Sequence, residues 1–421
     1  MKRSAKFLTS VMLTATLLVP AMGVGAANGE TAQQQGNETF RVLVDSANQN
    51  ELKNAKGKYG VHREFNSEGF TTTMNAKQFE ALQKNKNLSV EKVPEFSIEE
   101  TSSKPEAAYS AMAASQSVPW GIKAIYNDSA LTKPTGGAGI NIAVLDTGVN
   151  VNHTDLKNNV EQCKDFTTTT TVVNNSCVDR QGHGTHVAGS ALADGGTGTG
   201  VYGVAPSADL WAYKVLGDDG SGYSDDIAAA IRHVADQATA LNTKVVINMS
   251  LGSSGESSLI TNAVNYAYSK GVLVIAAAGN SGPYQGSIGY PGALQNAVAV
   301  AALENVIQNG TYRVADYSSR GYSSTDGDYV INKGDVEISA PGSSVYSTWY
   351  TGGYSSISGT SMATPHVAGL AAKIWATNTS ASNTQLRAEL QKRAKAYDIL
   401  SGSGAAVGDD YASGFGFARV R

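Results

Sequence analysis

The sequence predicts an α/β protein: a doubly wound, mostly parallel sheet preceded by a small α+β unit. Two observations carry this. From about Ala113 onward, near-continuous apolar runs of strand length alternate with helical runs, the pattern of buried parallel strands covered by helices on both faces. Before that point, shorter segments rich in Lys and Glu alternate strand and helix patterns on a smaller scale. With 421 residues, 41% hydrophobic and 16% charged, the chain can support more than one globular domain and is not of disordered composition.

At the start, Lys2, Arg3 and Lys6 precede an apolar stretch from Phe7 to Val19, and the small residues of "AMGVGAA" follow. This is the pattern of a secretory signal over residues 1–26, with cleavage after Ala26 or Ala27. The run is too short and too interrupted to anchor in a bilayer, and no other segment looks transmembrane. From Phe40, "FRVLVD" reads as a strand, "QNELKNAKGKYG" as a helix ending at a glycine, and "GFTTTM" as a strand. "NAKQFEALQKNKN" reads as a helix capped by Asn75, and "LSVEKVPEF" as one last strand, making a βαββ-like unit. "SIEETSSKPEAAYSAMAAS" has no periodicity and reads as a linker.

In the larger region, "INIAVLD", "DLWAYKVL", "KVVINMSL", "VLVIAAAGN" and "AVAVAAL" are expected strands. "HGTHVAGSALA", "SDDIAAAIRHVADQATA" and "SLITNAVNYAYSKG" are the helices between them. In such sheets function gathers at the carboxyl ends of the strands. The first strand ends in Asp146, an unusual place for a carboxylate, for which a helix or turn cap is the alternative. "DRQGHGTHVAG" places His183 between Gly182 and Gly184, which allow close backbone approach. "AAAGNSG" places Asn280 after an apolar strand, and "GTSMATPHVAGLAAKIW" places Ser361 in the first turn of a helix, where a capping role is the alternative.

Together these residue types form one chemical set. A serine hydroxyl needs a base beside it to act as a nucleophile, a neutral histidine can be that base, and a carboxylate behind it fixes the tautomer. An asparagine amide and the Ser361 backbone N–H are suitable donors to an oxyanion.

"VLDTGV", "GHGTHVAG", "MSLG", "AAAGNSG" and "GTSMATPHVAGL" resemble, in this order, the motifs of the subtilisin family of serine proteases. The resemblance runs from Gln116 to the C-terminus. It implies a subtilisin-like fold, an Asp146–His183–Ser361 triad, Asn280 as oxyanion donor with Thr360 in support, and hydrolysis of peptide bonds through an acyl-enzyme. It also implies that residues 27–112 are a propeptide that assists folding, inhibits transiently and is cut away near Met112–Ala113, leaving 113–421 as the catalytic domain of a secreted, monomeric enzyme.

By the same resemblance, Gly220, Ser221, Gly222 and Tyr223 on one side, and Ser250, Leu251 and Gly252 on the other, flank a substrate bound as an added strand. Ala276 to Gly279 and "IGYP", with Gly289 at its base, would line the primary pocket; no acid or base stands there, so large apolar or aromatic residues before the cut are expected. A structural Ca²⁺ site is implied at Gln116 and Asp155, with Thr197, Thr199 and Val201 from the Gly-rich loop giving mainly backbone oxygens. That loop departs from the family in lacking its usual asparagine. Asp326, Asp328, Asp335 and Glu337 fall in an insertion, either a solvated loop or a second cation site. Asp225 and Asp226 are expected to begin a helix after Ser224, favoured by its dipole.

The remaining signals narrow the reading. The only cysteines, Cys163 and Cys177, are expected to form one disulfide in an oxidising compartment, worth about 3 kcal/mol. A net charge of −4 offers no basic field for nucleic acid. With 45 glycines and 10 prolines the chain should be rich in loops. "GTGVYG" matches G-x-G-x-x-G but is not followed by a helix, so no dinucleotide site is expected. His186 and His366 read as packed structural residues. An α/β-hydrolase esterase would need G-x-S-x-G and the order Ser, acid, His, which is reversed here. A non-catalytic binding protein is disfavoured by the complete set of reactive residues.

Overall fold

The computed structural model describes residues 38–65, 68–98, 116–168 and 170–420. The signal segment and the 112–113 boundary lie outside them. The N-terminal unit contains β1 (Thr39–Asp45), α1 (Gln49–Tyr59), β2 (Arg63–Glu64), β3 (Phe70–Asn75), α2 (Ala76–Gln83), β4 (Ser89–Lys92) and β5 (Glu95–Ile98). Its antiparallel sheet has the order β2-β3-β1-β4 and packs Val42, Val44, Phe70 and Met74 against Leu52 and Leu82 of the two helices. Asn75 caps α2 through a capping box with Gln78.

The expected last strand of this unit is in fact two. β4 ends before Val93–Pro94, and β5 leaves the small sheet to join the larger domain. Pro94 cannot donate to a ladder, so the chain breaks its pairing there.

The larger domain continues with β6 (Gln116–Ser117), α3 (Trp120–Tyr126), β7 (Ile140–Asp146), β8 (Val160–Asp165), β9 (Val173–Asn174), α4 (His183–Leu192), β10 (Gly200–Val201), β11 (Asp209–Lys214) and β12 (Ser221–Tyr223). It goes on through α5 (Ser224–Ala240), β13 (Lys244–Met249), β14 (Leu251–Gly252), α6 (Ser258–Ser269), β15 (Leu273–Ala277), β16 (Ala297–Gln308) and β17 (Thr311–Val314). It closes with β18 (Ile338–Pro341), the hairpin β19 (Val345–Thr348) and β20 (Tyr354–Ile357), α7 (Thr360–Thr377) and α8 (Asn383–Lys395).

The main sheet has the order β17-β16-β15-β13-β7-β11-β8-β9, with β18 also on β16. Its pairings are parallel except β16–β17 and β8–β9. β7 lies at its centre and shows why the run is continuously apolar. Ile142 and Val144 face the layer of α4 and α7, whereas Ala143 and Leu145 face the layer of α5 and α6.

α7 is buried through its first four turns because it runs between the sheet and α4. Small residues permit this: a Cβ on Gly369 would lie 2.6 Å from Ala191 O and 2.7 Å from Val204 Cβ. Among the described residues no helix is long and apolar enough to cross a membrane.

Candidate active site

Three strand ends and two helix starts meet at the carboxyl edge of the sheet. Asp146 closes β7 and is fully buried. His183 opens α4, is also fully buried, and its Nδ1 lies 2.8 and 3.0 Å from the two Asp146 carboxylate oxygens. The glycines beside His183 are required by this approach. A Cβ on Gly184 would fall 2.1 Å from Gly148 O and 3.1 Å from Asp146 Oδ1, and one on Gly182, at φ +114°, would strike the Trp349 ring at 2.4 Å.

Asp179, which the sequence did not single out, organises the same turn. Its carboxylate accepts from the Gly182 and Thr185 backbone N–H groups at 2.8 and 3.0 Å, from the Thr185 hydroxyl at 2.6 Å and from the Thr147 hydroxyl at 3.0 Å. It thereby ties the residue after Asp146 to the helix that carries His183. Gln181 adds a bond from the His183 N–H to its Oε1 at 2.7 Å. An Asp four residues before a histidine carries no sequence signal of its own.

Ser361 is not a cap. The N-cap of α7 is Gly359, and Ser361 is the second helical residue, fully buried, with its hydroxyl donating to Ser250 O at 3.1 Å. The Ser250 hydroxyl in turn donates to Ser361 O at 2.7 Å, so the strand that follows β13 and the start of α7 are held together at this point. Asn280, after β15, accepts at Oδ1 from both the Thr360 N–H and the Thr360 hydroxyl, each at 3.0 Å. With its oxygen held on Thr360, its amide NH₂ is turned to the opposite side.

The two edge segments are brought face to face with a strand between them. β5 pairs antiparallel with β12 (Ser221↔Ser97, Gly222↔Phe96, Tyr223↔Glu95) and with β14 (Leu251↔Ile98, Gly252↔Ser97). The Ile98 N–H donates to Gly220 O at 3.0 Å, and Phe96 is almost fully buried. A segment of the chain's own N-terminal unit therefore occupies the cleft as an added strand. The wall beyond β14 is stitched by exchanged backbone bonds between Ser253 and Tyr290 at 2.8 and 2.9 Å. It continues through the Gly289 N–H to Ala278 O at 2.9 Å, which sets Gly289 between Ser253 and Gly279.

Around Asp155 the structure turns two of the expected cation ligands, Asp155 Oδ1 and Thr199 O, toward one space. Asp155 is fully buried; its Oδ2 accepts from Val201 N–H at 2.9 Å and from the Tyr354 hydroxyl at 3.0 Å. A Cβ on Gly196 would sit 2.6 Å from Asp155 Oδ1 and 2.9 Å from Thr199 O, so those two oxygens face one small space that glycine leaves open. The Gln116 amide donates to Gly195 O and Gly196 O at 3.0 and 3.2 Å. A buried carboxylate and a converging carbonyl fit a hard cation.

The insertion is not a uniform acidic loop. Glu337 is buried and held by Arg387 at 2.6 and 2.9 Å and by Gln391 at 2.8 Å, which removes it from any cation set. Burial together with Asp410, Asp409 and Asp335 pushes the Asp326 carboxyl up to about 6. His186 and His366 are packed as expected: His186 Nε2 lies 2.8 Å from Val345 O, His366 Nδ1 lies 2.7 Å from Met362 O, and burial drives them down to about 3 and about 4. Cys163 and Cys177 are joined in a disulfide that links β8 to the loop before α4.

Comparison with known proteins gives a consistent picture. Residues 137–416 match the model of the Subtilase family of S8 peptidases. The chain is 76% identical over 421 residues, the full length of both, to a protein named Subtilisin from Bacillus sp. (strain TA39). It is 43% identical over 279 residues, 66% of this chain and 92% of the other, to Subtilisin Savinase from Lederbergia lenta. Among solved structures, S41 Psychrophilic Protease is 80% identical with a TM-score of 0.73, and Sphericase 77% identical with 0.72; each is matched over 73% of this chain and 100% of its own.

Proposed function

The chain belongs to the subtilase family and is a subtilisin-type serine protease, and from that premise we propose that Asp146, His183, Ser361 and Asn280 carry its chemistry as a secreted endopeptidase. Asp146 holds His183 through Nδ1, which leaves Nε2 as the base for the Ser361 hydroxyl. The Ser361 oxygen attacks the scissile carbonyl, and the Asn280 amide and the Ser361 backbone N–H stabilise the oxyanion. His183 returns the proton to the leaving amine, and water then releases the acyl group by the same route. The buried contact of His183 with Asp146 at 2.8 Å is the observation that carries this assignment.

Substrate is bound as β5 is bound, between Gly220–Tyr223 and Ser250–Gly252, and the uncharged wall at Gly279 and Gly289 favours large apolar or aromatic residues before the cut. Residues 1–26 direct secretion and 27–112 are the propeptide, with β5 as its inhibitory segment. Residues 113–421 number 309, which is 73% of 421, the share that the solved structures cover, and this supports a separate catalytic domain. Gln116, Asp155, Thr197, Thr199 and Val201 would hold a structural Ca²⁺, which when bound would fix the 195–201 loop against β6 and take no part in the chemistry.

The test is hydrolysis of succinyl-Ala-Ala-Pro-Phe-p-nitroanilide by the processed protein, with a serine-directed covalent inhibitor and with EDTA in parallel. Activity abolished by the inhibitor, absent in Ser361→Ala and lost slowly in EDTA is the expected result. Activity that survives Ser361→Ala overturns the assignment, and stability indifferent to EDTA overturns the Ca²⁺ site.

A further inference from the structure

The start of α5 stands on the rim of the cleft. Asp225 is fully buried and Asp226 3% exposed, with ligand atoms of the two within 4.8 Å of each other. Arg41 Nη1 lies 3.0 Å from Asp225 Oδ1 and 2.7 Å from Asp226 Oδ2, and its guanidinium carbon is 4.4 Å from the centre of the Tyr223 ring. Arg63 Nε reaches Asp226 Oδ1 at 2.5 Å, with other guanidinium donors on Thr170 O and Phe166 O. His62 Nε2 lies 3.2 Å from Asp226 Oδ1, and the Thr71 hydroxyl donates to Asp225 Oδ2 at 2.6 Å.

The division of these groups is one-sided. Every cation belongs to the N-terminal unit, and the carboxylates, the ring and the two carbonyls belong to the catalytic domain. When the N-terminal unit leaves, two adjacent carboxylates lose all these counter-charges and keep only the positive end of α5. The seat favours a guanidinium: the Arg41 Nη1 amino group alone bridges both carboxylates while the guanidinium carbon lies over the Tyr223 ring, and a delocalised guanidinium stacks on an aromatic face better than a compact, strongly hydrated ammonium.

We propose that Asp225, Asp226 and the face of Tyr223 form an arginine subsite of the protease, filled by Arg41 in the full-length chain and, once the N-terminal unit is gone, by an arginine of a protein substrate upstream of the scissile bond. This rests on the protease and propeptide readings above.

The register places the arginine. A substrate laid like β5 has the residue matching Ile98 opposite Leu251, so its next residue lies opposite Ser250, whose carbonyl takes the Ser361 hydroxyl at 3.1 Å. That next residue carries the carbonyl to be attacked. The Val93 N–H donates to Arg41 O at 3.0 Å, so a substrate residue at the Val93 position runs one strand spacing, about 4.8 Å, from the Arg41 backbone. It is five residues before the Ile98 position (98 − 93) and six before the attacked one. A long side chain there reaches the seat.

The experiment compares quenched-fluorescence peptides that share Phe at the attacked position and differ only by Arg, Lys or Ala six residues before it. The enzyme is the processed protease obtained from the full chain, and the double variant Asp225→Asn/Asp226→Asn is measured alongside. The expected result is a kcat/KM ratio of Arg to Ala of roughly ten at low salt, the size of one charge-assisted contact. Lys should give a smaller ratio, the advantage should shrink with added salt, and the ratio should collapse to about one in the double variant. An Arg-to-Ala ratio of one in the unaltered enzyme, with both peptides cut, overturns the subsite and leaves the protease reading standing. A ratio that persists in the double variant assigns the preference to other residues and overturns it as well. Failure to cut any peptide would bring down the protease reading and the subsite together.

Discussion

Thr360 holds Asn280 by two bonds to one atom: its backbone N–H and its hydroxyl both donate to Asn280 Oδ1 at 3.0 Å. The same hydroxyl accepts from the Gly279 N–H at 3.2 Å, so the residue before Ser361 sets both the donor amide and the adjoining pocket backbone. Thr360→Val removes the hydroxyl and keeps the backbone bond. We expect kcat to fall roughly tenfold, less than the roughly 10²–10³ lost when the oxyanion-donating asparagine of subtilisin is removed outright. KM should change little, and Thr360→Ser should recover most of the rate. Steady-state kinetics on one peptide substrate decides this, and an unchanged kcat in the valine variant would show that the backbone N–H alone orients Asn280.

Arg387 and Glu337 tie α8 to the main sheet from inside the protein, with side chains 9% and 1% exposed. Arg387→Met leaves a buried carboxylate without its cation, a loss of about 3–5 kcal/mol. The melting temperature should drop by about 10 °C. The double variant Arg387→Met/Glu337→Gln should be less harmed than the single one, because the uncompensated charge has gone. A calorimetric melt of the three proteins checks the order.

Acid should destabilise the fold through its buried histidines. Burial depresses His186 to about 3 and His366 to about 4, below the unfolded value of about 6.5. As pH falls below about 6.5 the unfolded chain takes up protons that the folded chain refuses, so stability is lost from about 6.5 down to about 4 through His366 and down to about 3 through His186. The slope approaches about 1.4 kcal/mol per pH unit for each histidine. Asp326, raised to about 6 from the ordinary carboxylate range, works in the opposite direction from about pH 6 down to about 4, because the folded state binds its proton more readily. Melting temperatures at pH 7.5, 5.5 and 4.5 should fall in that order, and His366→Gln should flatten the decline.

Breaking the Cys163–Cys177 link opens a loop of sequence separation 14, for which chain entropy gives a stabilisation of about 3 kcal/mol. The Cys163→Ser/Cys177→Ser protein should melt several degrees lower with its kcat nearly intact. A large loss of kcat would show instead that the bridge positions the loop leading to His183.

The sequence was most legible where neighbours in the chain act together. β7 and α5 have the bounds that their own pattern predicts, α4 ends one residue early, β15 is the Leu273–Ala277 core of a longer expected run, and the glycines around His183 stand where the backbone crowds Asp146. Short elements escaped notice. β8, β9 and the β19–β20 hairpin have two to six residues each, too few for a period to show. The helix α8 escaped although its capping box of Ser382 and Gln385 follows the usual spacing, because "NTQLRAELQKRAK" buries only a narrow stripe and looks polar throughout.

By itself, then, the sequence determined the α/β alternation and the family, and set the order of the residues proposed as reactive, since each is written within one strand end or one helix turn. Tertiary structure alone decided that β5 leaves its own sheet for the cleft, that Asp179 braces the turn before His183, and that Glu337 belongs to Arg387. It alone seated Arg41 on Asp225 and Asp226, 184 and 185 residues away. These pairings are set by which surfaces meet when two layers close, and no local propensity reports on a partner so distant in the chain.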